Sequence, residues 1–196
     1  MPESPSRIGT LRLVLTSIGV LWIIFVIDVS LRSFHIYLAN SIGLVPHSTH
    51  GLWGILGAHL LHANIQHILA NSIGLLILGL VSVWYSRTLT AWAIVYSAIC
   101  AGALTWLIAP ADSGVHIGAS GVLFGLIGFL LINGFVRRSW AACALAILVG
   151  LIFHNALPGM LPTDEVKAQS VSWEMHLGGF LGGVLASWNL RQQKPT

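Results

Sequence analysis

Charge is what this sequence has least of. Asp, Glu, Lys and Arg together make up 8% of its 196 residues, against roughly 25% in an ordinary soluble domain, and that shortage excludes a water-soluble globular fold. Acids are scarcer than bases, six against nine, which leaves a net charge of +3. An excess this small reads as membrane topology, with anionic lipid headgroups as counter-ions, and gives no reason to expect nucleic acid as a partner. Cysteine is limited to Cys100 and Cys143, in separate apolar runs. They are not expected to form a disulfide and read as small apolar core residues. No internal repeat or low-complexity segment is evident, and the short polar tails leave no length for a soluble domain. Residues 1–196 are therefore expected to form one six-helix unit. The first apolar run is long and lacks a small-residue cleavage site, so it reads as a span and not as a cleaved signal.

What fills the sequence instead is hydrophobic, at 56% of residues. Five runs reach spanning length: about Leu13 to Leu31, Ile65 to Trp84, Leu89 to Ala109, Ser120 to Val136 and Trp140 to Leu157. A sixth, Glu174 to Leu190, is rich in glycine but uncharged after its first residue. The expected fold is an all-α membrane protein with six transmembrane helices. With the amino end in the cytoplasm, Arg7, Arg12, Arg87, Arg137, Arg138, Arg191 and Lys194 fall inside, and only Arg32 and Lys167 outside. Asp112, Asp164, Glu165 and Glu174 then fall outside. The loop from Arg32 to about His62 is long and half apolar, so part of it is expected to lie in or on the outer leaflet.

Polar groups inside a span are costly and usually functional. Ser120 opens the fourth run and His176 lies near the start of the sixth. His67 and Asn71, four residues apart on the second, share a helical face. Asn71 lies about 24 Å of helix from Arg87 at the cytoplasmic end, so all four residues share a depth in the outer part of the bilayer. Singly, each has an ordinary reading: a serine back-bonded to its own helix, interfacial histidines, an asparagine bonded across a helix interface. Glycines make the joint reading stronger. Gly121, Gly125 and Gly128 give the fourth helix a bare flank, and Gly179 and Gly183 put a groove beneath His176. Small-xxx-small packing lets membrane helices touch backbone to backbone. That contact would bring His176 beside Ser120, and a serine needs such a base to act as a nucleophile. The free N–H groups at the start of the Ser120 helix, with Asn71 and His67, would supply oxyanion donors. No carboxylate other than Glu174, at the water boundary, lies at a suitable depth, so the expected set is a Ser-His dyad with its orienting acid missing or replaced.

These residues resemble those of the rhomboid family of intramembrane serine proteases. The likeness covers nearly the whole chain: six spans, "HANIQHILAN" from His62 to Asn71, "GASG" from Gly118 to Gly121, and "HLGGFLGG" from His176 to Gly183. It implies a rhomboid-like bundle with Ser120 as nucleophile, His176 as base, and His67 and Asn71 as oxyanion partners. It further implies a structural, hydrogen-bonding role for His62, about 140° around a helix from His67, and an aromatic at Phe124 against the catalytic ring. One feature departs from the family's first loop, which often carries Trp-Arg: here Trp53 precedes Gly54, leaving the anchoring of that loop open. The implied activity is cleavage of membrane-protein substrates near the outer leaflet, at spans weakened by Gly, Pro or small residues, with no cofactor and no metal. The expected setting is a bacterial plasma membrane, both termini cytoplasmic and the site open to the outer face. The stretch from Pro158 to Trp173 is either a mobile cover over that opening or an ordinary connector.

Three other readings compete. A metal or haem protein is suggested by nine histidines, with His59, His62 and His67 close in sequence. No HExxH occurs, however, and this spacing does not put three ligands on one helical face. A non-catalytic binder of membrane helices would have no need of Ser120 and His176 together. Asp28 in the first span suggests ion transport, but Arg32, one turn away, makes a local ion pair the better expectation.

Overall fold

The computed structural model describes residues 7–169 and 171–193; Lys194, counted above among the inside cations, lies outside the described residues. The helices in chain order are α1 (Arg7–Arg32), α2 (Ala39–Ile42), α3 (Gly54–Gly57), α4 (Ile65–Tyr85), α5 (Arg87–Ile108), α6 (Ser120–Arg137), α7 (Trp140–Phe153), α8 (Asp164–Ala168) and α9 (Trp173–Asn189). Single 3-10 turns sit at His50–Trp53, Ala58–Leu60 and Leu157–Met160. Among the described residues there is no strand, only one isolated antiparallel bridge between Leu44 and His116. The fold is all-helical. Helices α1, α4, α5 and α6 are long and apolar enough to cross a membrane, and α7 is a shorter apolar helix. α9 has 17 residues, fewer than the roughly 20 that a straight crossing of the hydrocarbon core needs.

Among the described residues, side-chain caps open four of the helices. The Asn64 side chain accepts the His67 N–H and opens α4. Ser86 ends α4 and caps α5 by accepting from Leu89 N; Ser139 and Thr163 do the same for α7 and α8. α6, like α9, has no side-chain cap bond, and its N-cap is Ala119. The N–H groups of its first turn are therefore not taken up by a capping side chain.

α6 is the central helix, with most of its residues buried from Gly121 to Leu130. Its core partners are Leu78 from α4, Leu89 and Ala93 from α5, Val149 from α7 and Ala186 from α9. The outer faces of the bundle carry large apolar side chains, Trp84, Phe135, Trp140 and Leu151 among them, suited to lipid and not to water. α9 wedges between α5 and α6 on two glycine stripes. A Cβ on Gly179 or Gly183 would collide with the α6 carbonyls of Gly121 or Gly125, and one on Gly178 or Gly182 would stand 2.6 Å from the α5 carbonyls of Cys100 or Tyr96. The close α6–α9 approach expected from the sequence is thus present, and a second one, with α5, accompanies it.

The first loop packs upon itself and onto α5. A Cβ on Gly54 would run into the backbone of Leu44, so no arginine fits after Trp53, and Trp53 itself is exposed. The loop is tied to α5 by one backbone and one side-chain donor: His47 N–H donates to Trp106 O (3.1 Å), and the Trp106 indole Nε1–H to Ser48 O (2.8 Å). Asp28 and Arg32 form the expected ion pair. Arg32 also donates to Ala63 O (2.9 Å) and His62 O (3.1 Å), tying the end of α1 to the entry of α4. α7 stops at Phe153, short of the expected Leu157, because His154 to Ala156 turn into the 3-10 segment that carries Pro158.

Candidate active site

Ser120 is the first residue of α6, and His176 lies in the first turn of α9. The glycine seam brings them together, with His176 Nε2 2.8 Å from Ser120 Oγ. The other ring nitrogen, Nδ1, lies 2.9 Å from the carbonyl oxygen of Gly159, in the 3-10 turn after α7. A carbonyl only accepts, so Nδ1 carries a proton; in the neutral ring Nε2 is then the acceptor, and the Ser120 hydroxyl donates to it. That is the tautomer a general base requires. Phe124, one turn after Ser120, stacks on the His176 ring at 4.1 Å between centroids and 16° between planes. Packing and one backbone carbonyl therefore orient the ring.

Around Gly118 the backbone makes room for a second group. Its φ of +136° is one that residues with side chains rarely adopt, and a Cβ there would stand 2.6 Å from His67 Cε1 and 3.6 Å from Ser120 Oγ. His67 and the Ser120 hydroxyl thus flank a backbone that only glycine leaves open. Asn71 follows one turn later on the same face of α4, buried, its amide Nδ2 without a hydrogen-bond partner among the described residues. Buried donors are normally paired, and an amide left free is suited to charge that develops only during a reaction.

His62 corrects an expectation. Neither of its ring nitrogens has a hydrogen-bond partner among the described residues. The helix begins only at Ile65, so the helical angle between His62 and His67 does not apply, and the two rings meet edge to face, 5.1 Å apart. Burial, and secondarily the charge on His67, hold His62 at about 4, well below the usual histidine range. The ring is neutral, packed and unpaired.

A family model described as the Rhomboid domain matches residues 49–193. The chain belongs to the rhomboid family. Among its relatives, the uncharacterised protein Rv1337 of Mycobacterium tuberculosis is 39% identical over 153 residues, covering 76% of this chain and 63% of that protein. The uncharacterised protein ML1171 of Mycobacterium leprae is 37% identical over 182 residues, 90% of this chain and 70% of that one. RHOMBOID-like protein 1 of Arabidopsis thaliana is 31% identical over 151 residues, 75% of this chain and 36% of that protein. The chain thus spans less than two thirds of the length of Rv1337. Family and apolar helices together make it an integral, multi-pass membrane protein.

Two parts of the rhomboid site had no signal in the sequence. The Gly159 carbonyl is a backbone group, which residue identity does not reveal. The second is a hydrogen-bonded chain beside the starts of α6 and α9: His116 Nε2 lies 2.8 Å from Ser113 Oγ, His116 Nδ1 2.7 Å from Ser172 Oγ, and Ser172 Oγ–H donates to the buried Glu174 at 3.4 Å. It joins the loop before Ser120 to the start of α9, two residues before His176. Burial lowers the His116 pKa and the Glu174 charge opposes that shift.

Proposed function

We propose that this rhomboid is an intramembrane serine endopeptidase that cleaves transmembrane substrates near the outer leaflet with Ser120 and His176. The observation that carries the reading is the 2.8 Å contact of Ser120 Oγ with His176 Nε2, in a ring whose Nδ1 is committed to a carbonyl. His176 takes the hydroxyl proton as Ser120 attacks the scissile carbonyl, then gives it to the leaving amine; water repeats the cycle on the acyl-enzyme. The oxyanion is held by the Ser120 N–H at the uncapped start of α6, the free amide of Asn71 and the His67 ring. Glycines at 118, 121, 179 and 183 and the Phe124 ring hold the parts in place. No metal or cofactor enters the reaction.

On this reading six helices cross the bilayer, α7 and α9 among them, with part of the first loop in the outer leaflet. Both termini are cytoplasmic, in a bacterial plasma membrane, and the site opens outward. A substrate helix hides its carbonyls in hydrogen bonds, so it must unwind before attack. Spans weakened by Gly, Pro or small residues near their outer end are the substrates expected. The segment after α7 covers the site by way of Gly159.

The test is cleavage of a model span in detergent by the intact protein and by Ser120→Ala, with a fluorophosphonate probe. Cleavage and labelling at Ser120 are expected, both absent in Ser120→Ala, and labelling lost in His176→Ala. Chelators should have no effect. Cleavage that survives Ser120→Ala, or that a chelator abolishes, would replace this mechanism with another.

A further inference from the structure

Gly118 is held at both of its peptide groups by two consecutive residues of the first loop. Its N–H donates to the Ala58 carbonyl at 2.8 Å, and its own carbonyl oxygen faces His59 Nδ1 at 3.3 Å. Ala58 and His59 share one 3-10 turn. The His59 ring is buried; a Cβ on Gly121, in the first turn of α6, would stand 3.2 Å from its Cε1. Its Nε2 lies 3.0 Å from the carbonyl of Ala98 on α5. Both partners only accept, and a neutral imidazole has one N–H to give. Ala98 O already serves the helical ladder of α5, whereas the buried Gly118 O has no other hydrogen-bond partner among the described residues. A buried carbonyl left unpaired is the costlier outcome, which favours the proton on Nδ1.

On the reading of Ser120 as nucleophile, we propose that His59 is a positioning residue, donating Nδ1–H to the Gly118 carbonyl and so fixing the direction in which the chain enters Ser120. Glycine is the residue least able to hold a conformation by itself, and Gly118 stands two residues before the hydroxyl that must meet His176. Release of its carbonyl lets the peptide between Gly118 and Ala119 turn and shifts Ser120 Oγ from its base. About 1 Å of such displacement costs on the order of 10²-fold in rate.

The two ring nitrogens can be replaced one at a time, since an asparagine amide nitrogen takes the place of Nδ1 and a glutamine amide nitrogen that of Nε2. The full chain in detergent, as wild type, His59→Asn and His59→Gln, is measured for kcat and KM on a model span, fluorophosphonate labelling rate and melting temperature. His59→Asn should keep kcat and labelling near wild type, although it loses the tie to α5. His59→Gln should keep that tie and lose about 10-fold or more in both rates, with KM little changed. The inference is overturned if His59→Gln is as active as wild type, if His59→Asn is no better than His59→Gln, or if the rates of both simply follow their melting temperatures. Should neither variant fold, 15N spectra of histidine-labelled wild type decide it: a His59 proton on Nε2 alone rules the arrangement out. Wild type that neither cleaves nor labels would instead overturn the reading of Ser120 itself.

Discussion

In the His176 ring a backbone carbonyl stands where a serine triad has its carboxylate. Gly159 O fixes the tautomer as a carboxylate does, but being neutral it would, in the mechanism proposed above, lend less stabilisation to the imidazolium formed during attack. On that mechanism more of the barrier must be lowered at the oxyanion, which puts weight on Asn71. Its Nδ2 is buried and has no hydrogen-bond partner among the described residues, so removing it forfeits no hydrogen bond seen there. Asn71→Leu, close in volume, should leave the melting temperature unchanged or raise it, while turnover falls by up to about 10²-fold. His67 and the Ser120 N–H share the load, so Ser120→Ala should be far worse. Normal turnover in a well-folded double variant, with Asn71→Leu and His67→Ala combined, would remove both residues from the oxyanion site.

At the scale of the helix, α9 does most to assemble the site, and Gly179 isolates its geometry from its chemistry. A Cβ at 179 would meet the Gly121 carbonyl, a backbone atom that cannot swing aside. Gly179→Val should therefore push α9 from α6 at a cost of typically about 1 to 3 kcal/mol, visible as a lower melting temperature. The shift separates base from nucleophile and should cost up to about 10²-fold in turnover. At Gly74, by contrast, a Cβ would meet only the Leu123 side-chain methyls, 3.0 and 3.1 Å away. Gly74→Val should be milder in activity in the same detergent, and an unchanged rate and melting temperature for Gly179→Val would mean that the helices do not meet there. The Gly179 stripe was legible because it shares a face with His176 at helical spacing. Gly178 and Gly182 carry the same small-residue signal, but which neighbour they face depends on where α5 lies, and spacing within one helix does not encode that. The Ser120–His176 pair was legible for the same reason as the seam, since Ser120 opens α6 and His176 lies in the first turn of α9, at the same end of the glycine contact. The Gly159 carbonyl and the course of the first loop were not, because each contact has a backbone carbonyl at one end, a group common to every residue.

Across the molecule three histidines in the segments between the long helices behave as a group. His59, His62 and His116 lie outside the long helices, in segments that pack the first loop and the loop before Ser120 against the bundle, and burial lowers the pKa of each. A histidine whose folded pKa lies below its unfolded value of about 6.5 binds its proton more readily in the unfolded chain, so its neutral form stabilises the fold at high pH. For His62 that contribution is complete above about 6.5 and is lost as pH falls through that value towards the folded value of about 4. Within this window one such site contributes a slope approaching about 1.4 kcal/mol per pH unit. His59 and His116 add to it in the same sense, with carbonyls easing the shift at the first and the Glu174 charge at the second. The melting temperature in detergent should therefore be level at neutral pH and above, and fall steeply on acidification through this range. His62→Leu fills a site where neither ring nitrogen has a hydrogen-bond partner among the described residues, so it should fold and show a visibly shallower fall. The comparison requires only thermal unfolding of the two proteins at matched pH values. If their curves stayed parallel, His62 would have to bind its proton as readily in the fold as in the unfolded chain, and the acid sensitivity would belong to other groups.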